Sequence, residues 1–289
     1  MRLESRKEQI TRSHPDLSVN RQLSLLSVPH SSYYYPENER IERTRFDAQA
    51  KDKMQKIYET TPFYGVRRMT VELKRQGLAI NHKHVARLHR EMGLETIYPH
   101  KKLNTSQSNP EHPFYPYLLR DKEIIRPNQV WSTDITYTKV NGHKAFVIAI
   151  IDWFSRMVLA HCTVNTMDTY YCVKLLHEAV GKYGKPEIFN SDQGSQFTSR
   201  CFIDALKSYG IRISMDGKGR CRDNARMERF WWALKYEDLN LHCYESMQEL
   251  RAGVDRYVEF YNKKRIHSAL KYQTPENIYQ TWKEAHLVA

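Results

Sequence analysis

The sequence predicts an α/β fold, a mixed five-stranded sheet with flanking helices, preceded by small all-α helix-turn-helix modules. Three observations predict it. From residue 128 onward, three strand patterns follow one another and then strands alternate with helices. Before residue 98 the apolar periodicity is helical only, with stops at Gly77 and Gly93. Between these regions fall five of the eleven prolines, Pro99, Pro110, Pro113, Pro116 and Pro127. Few regular elements survive that density.

Residues 1–50 form an N-terminal helical region. SVNRQLSLLSV and PHSSYYY read as two short helices ended by Pro36, with Ser18 as the first cap. Val19, Leu23 and Leu26 give one apolar face. The region suits a helix-turn-helix or a helical hairpin packed on the rest of the protein. Residues 51–98 read as a second module. It has two helical patches up to Gly77, then a helix capped by Asn81 and running through Met92. Val85, Leu88 and Met92 share its apolar stripe, and Lys83, His84, Arg87 and Arg90 occupy the remaining face. A narrow apolar stripe with a basic opposite face suits DNA or a merely solvated surface, and the paired Gly-stopped helices favour DNA. Arg67 and Arg68 of YGVRRM join the candidate DNA contacts. Residues 99–124 are a Pro-rich linker, and residues 125–289 form the α/β core with a helical extension.

Within the core, NQVWSTDITYTKV is the first strand and Asn141-Gly142 a hairpin turn. KAFVIAIIDWF is a long buried strand, and MVLAHCTV a third. TMDTYYCVKLLHEAVGKYG is an amphipathic helix, EIFNSD a strand, SQFTSRCFIDALKSYG a helix and IRISM a strand. A helix follows over Asp223–Leu239. The last predicted helix is SMQELRAGVDRYVEFYNKKR, with Met247, Leu250, Val254, Tyr257, Val258 and Tyr261 on one face. This order, antiparallel strands first and parallel crossovers after, is that of a ribonuclease H-like fold.

The net charge of +12 points to a polyanionic partner. Nine Lys/Arg against three Glu lie between Tyr64 and Lys102, half of that excess. No apolar run reaches about 18 residues, and MRLESRKEQITRS lacks an apolar core, so a cytoplasmic protein without membrane spans is expected. The five cysteines, Cys162, Cys172, Cys201, Cys221 and Cys243, form no CxxC pair and read as free thiols.

Three acidic residues stand where chemistry could use them. Asp134 lies within the first strand, where Asp is disfavoured; a metal or a local Ser/Thr hydrogen bond would compensate. Asp192 ends the fourth strand, at the edge where ligands of open α/β sheets collect. Glu228 lies early in a helix, as a metal ligand or as a surface acid favoured by the helix dipole. Lys235 follows seven residues later, roughly 10 Å along the axis. If the fold gathers the three acids, their repulsion calls for cations, and a pair of Mg²⁺ ions on a phosphodiester fits best. Neither a G-x-S-x-G elbow nor a P-loop is present.

YGVRRMTVELKRQG, NHKHVARLHREMGL, WSTDITY, NSDQGSQFTS, GRCRDNARMERFWWALKYE and YNKKRIHSALKYQTPE, in that order, resemble the DDE transposases of bacterial insertion sequences. The chain is similar to the second-frame product of the family translated from two overlapping frames, with a core like that of retroviral integrase. The resemblance implies Asp134, Asp192 and Glu228 as the metal-binding catalytic triad, with two Mg²⁺ ions or substituting Mn²⁺. It implies Lys235 as a contact to transposon-end DNA, strand cleavage followed by strand transfer, a homo-oligomer on DNA and a first-frame partner protein. It departs from retroviral integrase in lacking the His/Cys zinc site. A DNA-binding regulator with an inactive core, or a structure-specific nuclease, are the alternatives.

Overall fold

The computed structural model describes residues 3–34, 37–97, 115–217 and 224–287. The expected helix stop at Pro36, most of the Pro-rich linker, Cys221 and the GRCRD segment lie outside the described residues. The chain divides into two compact units, residues 1–61 with 65–95, and residues 62–64 with 96–289.

The first unit is helical. After α1 (Leu3–Lys7), Ser18 caps α2 (Val19–Leu25), its side chain accepting from the Arg21 amide. Leu23 packs with Ile10 and Val28 beneath Val19, Leu26 and Tyr33. α3 (His30–Tyr34) follows, and then a 24-residue helix, α4 (Glu37–Thr60). The module boundary expected at residue 50 falls inside α4. Phe46, Ala50, Met54 and Ile57 make a stripe that runs straight through that point, and Ala50, Met54 and Ile57 are buried. α5 (Val66–Arg75) and α6 (His82–Glu91) each contact α4 and one another. Asn81 caps α6 by accepting from the His84 amide, 2.9 Å away. Gly77 and Gly93 end α5 and α6 at φ +85° and +64°, the left-handed conformation that releases the last carbonyls to the following amides.

The second unit is built on one five-stranded sheet of order β3-β2-β1-β4-β5. β1 (Val130–Val140) and β2 (His143–Asp152) are antiparallel, joined by Asn141 and Gly142 at φ +47° and +80°, as a two-residue hairpin demands. β3 (Val158–Val164) continues antiparallel. β4 (Ile188–Ser191) returns parallel to β1 after α7 (Thr169–Tyr183), and β5 (Arg212–Met215) parallel to β4 after α8 (Arg200–Ser208). This is the mixed sheet of the ribonuclease H-like prediction.

Both sheet faces are covered, which is why β2 reads as an unbroken apolar run. Ile148 and Ile150 face a core with Leu175, Leu176, Phe202 and Leu206 of α7 and α8. Val147, Ala149 and Ile151 face the other core, shared with α9 (Ala225–Leu234) and α10 (Met247–Lys263). The helix predicted over Asp223–Leu239 has its α-helical part in α9. Lys235–Leu239 form a π-helical turn instead, closed by Asn240 N–H donating to the Lys235 carbonyl at 2.8 Å.

One element is new. α11 (Pro275–Leu287) follows α10, where no further helix was predicted. Its signal was present as Thr274 before Pro275 at the first helical position. Its Tyr279 is fully buried, edge-on to Tyr183, with its hydroxyl 3.1 Å from Asn128 Oδ1.

Candidate active site and nucleic-acid interface

β1 carries Asp134 opposite Ala149 of β2. Its carboxylate does not bond Ser132 or Thr136. Oδ1 accepts from the Ile135 amide at 2.8 Å and Oδ2 from the Trp231 indole N–H of α9 at 2.9 Å. Burial pushes its pKa up to about 7, and the nearby charges of Asp192 and Asp216 push the same way. The two hydrogen bonds oppose that rise without cancelling it.

Asp192 follows the carboxyl end of β4 and opens the loop to α8. Its Oδ1 accepts from the Gly194 amide at 2.9 Å. Burial raises its pKa, against the pull of that hydrogen bond. A Cβ on Gly194 would stand 2.9 Å from the same Oδ1, so only glycine lets this amide approach freely.

Asp216 was missed in the sequence, although it follows β5 as Asp192 follows β4. Its Oδ1 accepts from Asn190 Nδ2 at 2.7 Å, and its carbonyl from Gln193 Nε2 at 2.8 Å. Asn190 is fully buried and also accepts from Ser214. Asp216 thereby ties the ends of β4 and β5 to the loop that carries Asp192. Trp231 was read only as an apolar stripe residue; its indole nitrogen is the group that orients Asp134.

The structure therefore brings Asp134 and Asp192 into one electrostatic field, with Asp216 beside them. It does not bring Glu228 into that group. Among the described residues no three His, Cys, Asp or Glu side chains are close enough to hold one metal ion together. Glu228 is exposed on α9, and its pKa is raised by desolvation, with no neighbouring acid contributing. Trp231, three residues on, is the α9 side chain that reaches Asp134. Lys235 lies with Nζ 5.5 Å from the Tyr137 ring of β1.

The basic face expected on α6 is only partly open. His84 Nε2 sits 2.6 Å from Asp47 Oδ1, and Arg87 donates to Asp47 Oδ2 and Glu91 Oε1, each at 2.7 Å. Burial alone would raise Asp47, but the Arg87 and His84 hydrogen bonds hold it below the usual carboxylate range. These two residues thus serve an internal ion-pair network, because α4 places Asp47 against them. Lys83, Arg90 and Arg67 remain exposed, and Arg68 is half-buried.

Known proteins match both units. Residues 125–221 and 209–275 match models of the integrase core domain, and residues 45–102 match an HTH-like domain. A putative transposase for insertion sequence element IS150 of Escherichia coli K12 is 34% identical over 256 residues, covering 88% of this chain and 90% of that one. The transposase for insertion sequence element IS904 of Lactococcus lactis is 31% identical over 248 residues, covering 84% and 96%. Among solved structures, the HTLV-2 integrase catalytic core domain in complex with magnesium aligns over 54% of this chain and 98% of its own, at 22% identity and a TM-score of 0.45. No helix among the described residues is long and apolar enough to cross a membrane. With a helix-turn-helix-like region ahead of an integrase core, and relatives matched over most of their length, the chain belongs to the insertion-sequence transposases.

Proposed function

We propose that this transposase cleaves DNA at the ends of its element and transfers the freed 3′ ends to new DNA, with Asp134, Asp192 and Glu228 as the acids that hold two magnesium ions. The observation that carries the reading is the pairing of Asp134 with Asp192. One carboxylate on β1 and one just past β4 stand half-buried in one field, where the charge of Asp192 resists the ionisation of Asp134. A divalent cation relieves that conflict, and an all-oxygen donor set suits magnesium, with manganese as a substitute. When bound, magnesium polarises the phosphoryl oxygens and lowers the pKa of an attacking hydroxyl.

The chain's own residues prepare that role. The Trp231 indole and the Ile135 amide fix both oxygens of Asp134, and the Gly194 amide fixes Asp192. Glu228 lies on the same helix, three residues before Trp231, but stands outside the acid pair in the free protein. Its place as the third acid follows from the family pattern and would require it to move to the pair when metal and DNA bind. In the first step water attacks an end phosphodiester, forming a new P–O bond as the 3′-oxygen leaves and takes a proton. In the second, that 3′-hydroxyl gives up its proton as it attacks a target phosphodiester, and the target's own 3′-oxygen leaves and takes up a proton. Each step exchanges one P–O bond for another, so no protein nucleophile is needed.

Lys235, Lys83, Arg90 and Arg67 are the proposed phosphate contacts, with Arg68 beside them. His84 and Arg87 contribute by shaping α6 against α4. Joining two ends requires at least two protomers, and a first-frame protein is the proposed partner for end recognition. The domain reading becomes a DNA-binding unit through residue 95 and a catalytic unit from residue 96.

The test is a cleavage and joining assay on end-sequence duplexes with magnesium. Asp192→Asn and Glu228→Gln should each abolish both products while duplex binding survives. Wild-type activity in either variant would remove that residue from the triad. A gentler variant probes the loop. Gly194→Ala should leave the melting temperature nearly unchanged, because the neighbour that must yield is the end of a side chain. It should weaken the magnesium response by about 10–100-fold, the usual cost of disturbing a group that orients a ligand. An unchanged magnesium titration would show that this loop does not position the ion.

A further inference from the structure

A second charged cluster lies in the catalytic unit, and its sign is opposite. β2 ends at Asp152, and the chain turns back into β3 through residues 153–157. Ser155 donates to Asp152 Oδ1 from both its amide and its hydroxyl, at 2.8 and 2.7 Å, and Arg156 N–H donates to the Asp152 carbonyl at 2.9 Å. Asp152 Oδ2 accepts from the Asn128 amide at 2.8 Å, so both oxygens of this buried carboxylate are occupied.

Arg156 holds φ at +63°, the left-handed region, where a long side chain is disfavoured by roughly 1–2 kcal/mol and Gly or Asn would be at ease. Its guanidinium makes no hydrogen bond or ion pair with any described residue, although it is half-buried. α9 brings two more arginines to the same turn. Arg226 stacks on the Trp153 ring with its guanidinium carbon 4.3 Å from the centroid, and its Nε donates to the Trp153 carbonyl at 3.0 Å. Its two terminal nitrogens have no hydrogen-bond acceptor among the described residues. Arg229 lies one turn further along α9 and is exposed, with no ion pair to another described residue.

The three guanidinium groups also oppose one another. Burial lowers Arg156, and Arg229 adds to that; burial lowers Arg226, and Arg156 adds to that. Tyr261 near Arg156, and Tyr117 and Asp152 near Arg226, pull the other way. A strained residue, two half-buried cations and a third cation beside them are what the free protein should avoid, unless an anion completes the site. The N-terminal end of α9, ten residues long, adds its own positive dipole beside Arg226.

We propose that Arg156, Arg226 and Arg229 form a phosphate-binding site on the catalytic unit, which takes a backbone phosphate of DNA away from the scissile one. The proposal rests on the reading of the protein as a DNA-acting transposase. Guanidinium forks fit phosphate oxygens in pairs, and the stack on Trp153 presets Arg226 for that geometry.

The experiment uses the full chain carrying Asp192→Asn, without magnesium, so that strand cleavage plays no part. Arg156→Asn and Arg229→Gln are added singly and together. Asn is favoured at φ +63°, so Arg156→Asn should melt no lower than its parent. Duplex affinity near 0.15 M salt should fall about tenfold in the double variant. The slope of log K against log salt should shrink by about 0.9, the share of one phosphate contact. Inorganic phosphate at constant ionic strength should raise the melting temperature of the parent and not of the double variant. Unchanged DNA affinity and slope in a folded double variant would overturn the proposal. If phosphate protection disappears while DNA binding holds, the site takes a free anion and the DNA assignment falls. A parent that binds no duplex would overturn this site. The triad is judged separately by the magnesium-dependent cleavage assay.

Discussion

Asp134→Asn should abolish strand cleavage and yet make the metal-free protein more stable at alkaline pH. The activity loss should exceed about 100-fold, since groups that merely orient a metal ligand already cost 10–100-fold. The stability gain follows from the direction of the pKa shift. The folded carboxyl titrates at about 7, against 3.8 for an unperturbed Asp. A carboxyl raised by folding contributes most below the unfolded pKa, and that contribution is lost as pH rises through the folded one. Between about pH 4 and 7 the metal-free wild type therefore surrenders up to about 4 kcal/mol, taking 1.36 kcal/mol per unit.

Asn carries no such penalty, but it has one acceptor oxygen where Asp134 faces two donors, the Ile135 amide and the Trp231 indole. Leaving one of these donors unsatisfied costs about 1–3 kcal/mol. The two effects dominate at opposite ends of the range. The variant should melt below wild type at pH 4.5 and above it at pH 8, both in chelator. Magnesium should stabilise wild type at pH 8 far more than at pH 4.5 and barely affect the variant. Equal destabilisation of the variant at both pH values would mean that Asp134 is an ordinary satisfied carboxylate.

The sheet was legible because each of its signals is local. Asn141-Gly142 fixes a hairpin, the run from Ala145 to Ile151 needs cover on both faces, and Ser18, Asn81, Gly77 and Gly93 mark helix ends within a few residues. Losses occurred where the deciding partner lies far along the chain. His84 and Arg87 looked like an open basic face because Asp47, which binds both, is 37 residues from the first of them. The boundary expected at residue 50 falls inside α4 because the apolar stripe of that helix, with Ala50 and Met54 in it, is thin among charged residues. α11 has few apolar positions, and Tyr279 reveals its burial only through Asn128 and Tyr183.

The candidate site shows the same division. Asp134 and Asp192 are marked by strand position as candidates, and the family pattern is what joins them into one proposed site. Asp216 had an equivalent position after β5 and was overlooked for want of a motif around it. Glu228 was chosen by helix spacing and family pattern; no spacing rule says that Trp231 would be the α9 side chain to reach Asp134. A helix periodicity gives the face and not the neighbour across it.

Arg265→Ala should cost more stability than any other single change on α10 or the segment after it, about 3–5 kcal/mol in urea unfolding, the range for breaking a buried ion pair. Arg265 is 6% exposed, and its Nε donates to Glu237 Oε2 at 2.6 Å. The Tyr257 hydroxyl donates to the same oxygen at 2.8 Å, and the Arg265 guanidinium lies over the Tyr261 ring at 5.6 Å. Burial would lower the Arg265 pKa, but the Glu237 hydrogen bond and charge hold it above the ordinary value. Removing the cation leaves Glu237 inside an apolar cluster, where it must take up a proton or draw in water. Adding Glu237→Gln to Arg265→Ala should therefore recover part of the loss, and less of it at low pH, where Glu237 is protonated without help. Glu237 sits in the π-helical turn that begins at Lys235, so the pair also pins the chain directly after the proposed DNA contact. In the double variant, DNA affinity should stay low after stability has partly returned. A single-variant loss below about 1 kcal/mol would place the pair among weak surface bridges, and full recovery of DNA affinity with stability would separate Lys235 from it.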